Sequence, residues 1–146
     1  MIVEATEAQA TAVLGAMRLV ATGGDATPMS NADRRGIAAA WHTVFGLSGE
    51  VDPDALASAD VAAVAAALPT EGELRLTAVR LAAVMALVDG VVEDAKLSLV
   101  GALAEALDVH ADFVDAVSRL LRNDIGWAAF DQIRHNVATI PGMPWE

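Results

Sequence analysis

The stretch Ala86-Leu87-Val88-Asp89-Gly90-Val91-Val92-Glu93-Asp94-Ala95-Lys96-Leu97 decides how the chain is read: an apolar helix runs into Asp-Gly, and a new helix opens on acids. Asp89 is the first acid after a long uncharged run, and Gly90 supplies the positive φ of a tight helix C-terminus. Glu93 and Asp94 fall in the first turn of the following helix, where carboxylates favour the dipole and the free backbone N–H groups. Three acids therefore converge on one corner between two helices. That corner is the sequence's candidate binding point, although first-turn acids are also ordinary helix caps.

Upstream, Thr70-Glu71-Gly72-Glu73 has the form of a capping box, which predicts that a long helix starts here. Its apolar residues, Leu74, Leu76, Val79, Leu81, Val84, Met85, Leu87 and Val88, cover almost the whole circumference, as expected of a buried central helix. Arg80 is the one charge in its middle; it needs a carboxylate or carbonyl partner, or else it snorkels to the surface. Nearer the N-terminus, Ala10, Val13, Leu14, Met17 and Ala21 line one face of a first helix that ends near Thr22-Gly23-Gly24. Asn31 or Ser30 caps a second helix presenting Ile37, Trp41, Val44 and Phe45, closed by Gly46. Asp52-Pro53 starts a short third helix. Ser58 restarts the chain into a helix that Pro69 stops.

Downstream of the corner, Leu97, Val100, Ala104 and Leu107 form one stripe; Phe113, Val117, Leu120 and Leu121 form another; and Trp127, Phe130, Ile133 and Val137 a third. No strand pattern is found. The fold class expected is all-α, a compact orthogonal bundle of seven or eight helices in a single domain spanning 1–146. Pro141-Gly142-Met143-Pro144-Trp145-Glu146 forms an apolar tail that folds back or leads toward a partner or a further domain. Trp41 and Trp127 read as core anchors, and Trp145 as the tail's contact residue.

Composition limits the function. The 146 residues carry a net charge of -11, with nine Lys and Arg scattered along the chain, which disfavours nucleic acid and favours cations or basic partners. The absence of cysteine removes disulfides, thiolate zinc sites and Cys nucleophiles. Uncharged runs at 61–68 and 81–88 fall far short of the roughly 18 residues a membrane span needs. Glu4 and Glu7 stand where a signal peptide carries basic residues, so a cytoplasmic location is expected. His42, His110 and His135 lack metal-ligand spacing, no Gly-x-Ser-x-Gly elbow occurs, and Asp131 with His135 reads as an exposed helical pair. A non-enzyme is expected.

The chain also matches itself. Met17, Leu19 and Val20 correspond to Met85, Leu87 and Val88, after which each segment reaches a glycine. Further on, Asn31, Arg34, Ile37, Trp41, Phe45 and Leu47 correspond to Glu93, Lys96, Leu99, Leu103, Leu107 and Val109. Two helix–turn–helix units related by a pseudo-two-fold follow, the first with a longer turn.

A helix ending in Leu87-Val88-Asp89-Gly90, followed by acids and a new amphipathic helix, all occurring twice, resembles the TerB-like domain of tellurite-resistance proteins and DjlA-type co-chaperones. The resemblance covers about 13–121. Family members carry Glu about six residues beyond the glycine, where this chain has Lys96 with Glu93 and Asp94 nearby; the first unit has Gly23-Gly24-Asp25, then Asp33. The resemblance implies a cytoplasmic helical stress-response module that binds a divalent metal or a partner protein through acidic residues. The candidate oxygen ligands are Asp25, Asp33, Asp89, Glu93 and Asp94. A protein partner is expected, and a homodimer is compatible. Two alternatives stand beside this: a pocket for an apolar small molecule or lipid between Ala-rich helices, or an accessory domain of a larger enzyme.

Overall fold

A computed structural model of the chain describes residues 2–57, 59–87 and 93–109. Within them the chain is helical and holds no strand, in agreement with the all-α expectation. The helices are α1 (Glu7–Ala21), α2 (Asn31–Ala39), α3 (Val61–Ala67), α4 (Leu74–Leu87) and α5 (Asp94–Ala106). A π-helical turn, Ala40–Val44, extends α2, and a 3-10 turn, Pro53–Ala55, fills the Asp52-Pro53 position. Val88, Asp89 and Gly90, the stripes beginning at Phe113 and Trp127, His110, His135 and the tail with Trp145 lie outside the described residues.

Local chemistry sets each boundary. Thr6 caps α1 through a complete box with Gln9, its hydroxyl accepting the Gln9 N–H at 3.1 Å while Gln9 Oε1 accepts the Thr6 N–H at 2.9 Å. The other end of α1 is a Schellman motif: Gly24 N–H bonds Leu19 O and Gly23 N–H bonds Val20 O. Gly23 (φ 59), Gly24 (φ 77) and Asp25 (φ 66) are all left-handed, which is why glycines stand there and why the third residue is an Asp, tolerant of that region. Helix α5 ends in the same motif, Val109 N–H on Ala104 O and Asp108 N–H on Glu105 O, with Asp108 left-handed at φ 53.

Two helix starts differ from the sequence expectation. Asp60 rather than Ser58 caps α3, its Oδ1 accepting the Ala63 N–H at 2.7 Å. Thr70 does not cap α4: the first i to i+4 bond runs from Thr77 N–H to Glu73 O, so helical geometry begins after Glu73. Gly72 at φ 87 explains the failure, because a left-handed residue two places after Thr70 cannot belong to a right-handed turn.

Helix α4 is buried almost all round, with Ala78, Val79, Leu81, Ala82, Ala83, Val84, Met85 and Ala86 in the core. Arg80 is half-buried. The hub of the bundle, however, is α1, which touches each of the other four helices and lies most extensively against α4. Small residues make this feasible. Ala10, Gly15, Ala16 and Ala21 are all buried on α1, and a Cβ placed on Gly15 would meet the Ala59 Cβ at 3.5 Å.

One cation ties three helices together. Arg75, in the first turn of α4, donates to Pro69 O (3.0 Å), Leu68 O and Ala65 O (both 3.1 Å) at the end of α3, and to Leu107 O (3.1 Å) at the end of α5. Four carbonyls left free by helix termination are thereby satisfied by one guanidinium. Arg18 does the same for Leu56 O.

Candidate functional site

The N-terminal strap is tied to the rest of the bundle at Val3 and Ile2. Val3 N–H donates to Val44 O at 2.8 Å and Val3 is buried, while Ile2 lies over Gly46, its carbons 3.1 to 3.4 Å from where a Cβ would sit. Gly46 has φ 62, so both the turn and the close approach require glycine. This leaves Ile2 53% exposed, the exposed large hydrophobic residue among the described residues.

Beside that strap lies an open cleft of about 700 Å³ lined by Ile2, Glu4, Ala5, Thr6, Gln9, Pro69, Glu71, Gly72, Glu73 and Leu74. It lies where the starts of α1 and α4 come together. The lining holds three carboxylates, an amide and a hydroxyl, and no Lys, Arg or His. Thr6 and Gln9 are engaged with each other in the capping box. The acids are exposed acceptors, and the apolar floor is supplied by Ile2, Ala5, Pro69 and Leu74. Chemically, such a surface accepts hydrogen bonds from cationic donors and covers an apolar side chain.

This cleft is not visible in the sequence. Glu4 reads there only as evidence against a signal peptide, and Glu71 and Glu73 only as capping residues. The local signal is Gly72 between two acids within a capping-box pattern, but the pairing of the α1 and α4 N-termini is a long-range fact that no local pattern encodes.

The acids singled out from sequence are at the other end of α1 and α4. Asp25 is exposed in the left-handed turn, its N–H bonded to Thr22 Oγ1 at 3.0 Å. Asp33 is 1% exposed and closes a capping box, Oδ2 accepting the Ser30 N–H at 2.9 Å and the Asp33 N–H reaching Ser30 Oγ at 3.0 Å, which leaves Oδ1 buried without a hydrogen-bond partner. Glu93 and Asp94 are exposed at the start of α5, Glu93 in the N-cap position without a side-chain cap bond. Asp89 lies outside the described residues. Among those described, no three His, Asp or Glu side chains are grouped as metal ligands. Lys96 is buried.

Trp41 is packed in the core at 8% exposure and donates its indole N–H to Ser48 O at 3.1 Å. Trp127 and Trp145 lie outside the described residues. A second, smaller groove of about 260 Å³ runs between α1 and α3 and is lined mainly by alanines, with Gly15, Leu56 and Val64. No helix among the described residues is long and apolar enough to cross a membrane. No protein-family model, curated protein or solved structure matches this chain.

Proposed function

We propose that the chain is a non-catalytic, TerB-like interaction module, built from a duplicated helix–turn–helix unit, that receives a partner protein in the acidic cleft between the N-termini of α1 and α4. The observation that carries the reading is the cleft itself: about 700 Å³, walled by carboxylates and bordered by an exposed isoleucine. That volume is within the range of functional pockets.

The duplication is supported by backbone as well as sequence. Gly46 and Asp108 occupy corresponding positions and both are left-handed. Met17 and Met85 are both fully buried, as are Ile37, Leu103 and Leu107, with Trp41 and Phe45 nearly so and Leu99 partly. The two units also meet: a Cβ on Gly24 would lie 3.9 Å from Leu99 Cδ1, and one on Gly36 would lie 2.8 Å from Met85 Cε. The cation version of the family reading has less support, since Asp33 already has one oxygen committed to its own helix cap. Self-association through the cleft is disfavoured by a chain charge of -11.

The test compares proteins retained by wild type, by Ile2→Ser/Glu71→Gln/Glu73→Gln and by Glu105→Gln, all with matched circular dichroism. At least one protein held by wild type and by Glu105→Gln is lost from the cleft variant. Identical sets from all three contradict the reading. The groove between α1 and α3 favours one second reading, a small apolar ligand; native mass spectrometry of freshly purified protein reads it directly as an adduct.

A further inference from the structure

We infer that residues 2–5 form a latch on the end of α2. Docked, this strap holds the π-helical register of Ala40–Val44; once it is released, the turn relaxes to α-helix and the corner at 45–48 swings round.

A π-helical turn holds one residue more than the α-helical turn it replaces, and it is rare outside single bulges. Helix α2 is regular up to the Ala40 N–H, which bonds Gly36 O. Beyond that point it widens: Phe45 N–H bonds Ala40 O at 3.2 Å and Leu47 N–H bonds Trp41 O at 3.1 Å. The second bond spans one residue more than its counterpart at the end of α1, from Gly24 N–H to Leu19 O. Residues 40–44, Ala-Trp-His-Thr-Val, include no glycine or proline, so the widening has no local backbone cause of that kind. A conformation of this sort persists where its surroundings over-determine it.

The strap is the surrounding that does so. Val3 donates its N–H to Val44 O at 2.8 Å, taking up a carbonyl left open by helix termination, and both residues are buried. Ile2 lies on Gly46, two residues further along the chain. Closing the bulge turns everything beyond it by one residue step, about 100° about the helix axis. Val44 O and Gly46 then no longer face the strap together, so the strap fits one register only. The other bonds of the corner travel with the turn itself: Trp41 Nε1 donates to Ser48 O at 3.1 Å, His42 Nδ1 lies 3.0 Å from Leu47 O, and Thr43 Oγ1 donates to Ala39 O at 2.6 Å. His42 and Thr43 are exposed, so water takes over their bonds. The Val3–Val44 bond lies in the interior, where losing it leaves a carbonyl unsatisfied unless the turn rearranges.

Three variants of the full chain test the latch by nuclear magnetic resonance. Val3→Pro removes the N–H donor, Ile2→Gly removes the seat on Gly46 while leaving every backbone bond in place, and Thr43→Val removes only the hydroxyl bond within the turn. Hydrogen exchange of the Trp41 indole N–H, assigned with Trp41→Phe, reads the corner's closure. Residual dipolar couplings of the amides at 45–48 read its orientation. In Val3→Pro the Trp41 indole is expected to exchange roughly tenfold faster or more, as a locally opened site does. The couplings at 45–48 then fit a corner turned by about 100°, while those of 31–39 keep their wild-type values. Ile2→Gly moves both readouts in the same direction by less, and Thr43→Val leaves both as in wild type. A Val3→Pro protein whose strap amides lose protection while Trp41 and 45–48 behave as in wild type overturns the latch. So does a Thr43→Val protein that changes as much as Val3→Pro, because the hydroxyl and not the strap then holds the register.

Discussion

Replacing Arg75 by methionine removes four hydrogen bonds to main-chain carbonyls in one step while keeping most of the aliphatic stem. A hydrogen bond with a charged donor contributes about 1.5–3 kcal/mol, so a simple sum over four would approach the whole stability of a domain this size. That sum overshoots. Arg75 is only half-buried, and carbonyls at the ends of α3 and α5 regain water once the guanidinium has gone. A cost of about 2–4 kcal/mol remains, from freeing the junction of α3, α4 and α5. In a chain of this length that lowers the melting temperature by roughly 4–16 °C. Arg34→Met provides the control. Its guanidinium pairs with Asp54 at 3.1 Å, with side chains 38% and 57% exposed. Such surface pairs contribute about 0–1 kcal/mol. Urea denaturation followed by far-ultraviolet circular dichroism measures both variants. Arg75→Lys should recover less than half of the loss, because a single ammonium cannot span four carbonyls on two segments. An Arg75→Met variant no less stable than Arg34→Met would refute the reasoning that this guanidinium holds the junction.

Other substitutions read other parts of the structure. At Gly36 even a Cβ would lie 2.8 Å from Met85 Cε in a filled core. Gly36→Val should therefore cost about 1–3 kcal/mol in the same denaturation assay. Ser30→Ala removes the α2 cap. It should cost about 1 kcal/mol, read as a lowered urea midpoint with unchanged m-value. Gly46→Ala should cost about 1–2 kcal/mol through its left-handed φ. Titration with Ca2+ or Mg2+ should leave the melting temperature unchanged; a saturable rise abolished by Asp89→Asn and Glu93→Gln would place a cation at the turn between α4 and α5 instead.

Helix identity is legible wherever it rests on local chemistry. The Thr22-Gly23-Gly24 stop, the Ser30 cap, the Gly46 stop and the Asp52-Pro53 start are all backbone requirements met by a particular residue type, and sequence displays them directly. The start of α4 misleads because Thr70 and Glu73 have capping-box spacing while Gly72 between them adopts a conformation the box forbids. Arg75 has the form of an ordinary first-turn cation; its role depends on where α3 and α5 end in space. The same holds for the cleft. Ile2, Glu4, Glu71 and Glu73 are ordinary in their own segments and are brought to one cleft only where the starts of α1 and α4 come together. Among the acids that stand out locally, Asp33 does so because its carboxylate serves the local backbone.

Because the chain has no cysteine, a single thiol introduced at Thr70→Cys, an exposed position between the lining residues Pro69 and Glu71, carries an environment-sensitive fluorophore to the edge of the cleft, with Glu105→Cys as the matching label on the exposed face of α5. Titrating each labelled protein with a peptide of alternating Lys and Leu, a probe complementary to the acidic lining, measures occupancy of the cleft directly. A saturable blue shift at position 70, weakened by Glu71→Gln/Glu73→Gln and absent at position 105, is the expected result. Equal responses at both positions, or no response at position 70, would contradict the assignment of the cleft as the partner-binding surface.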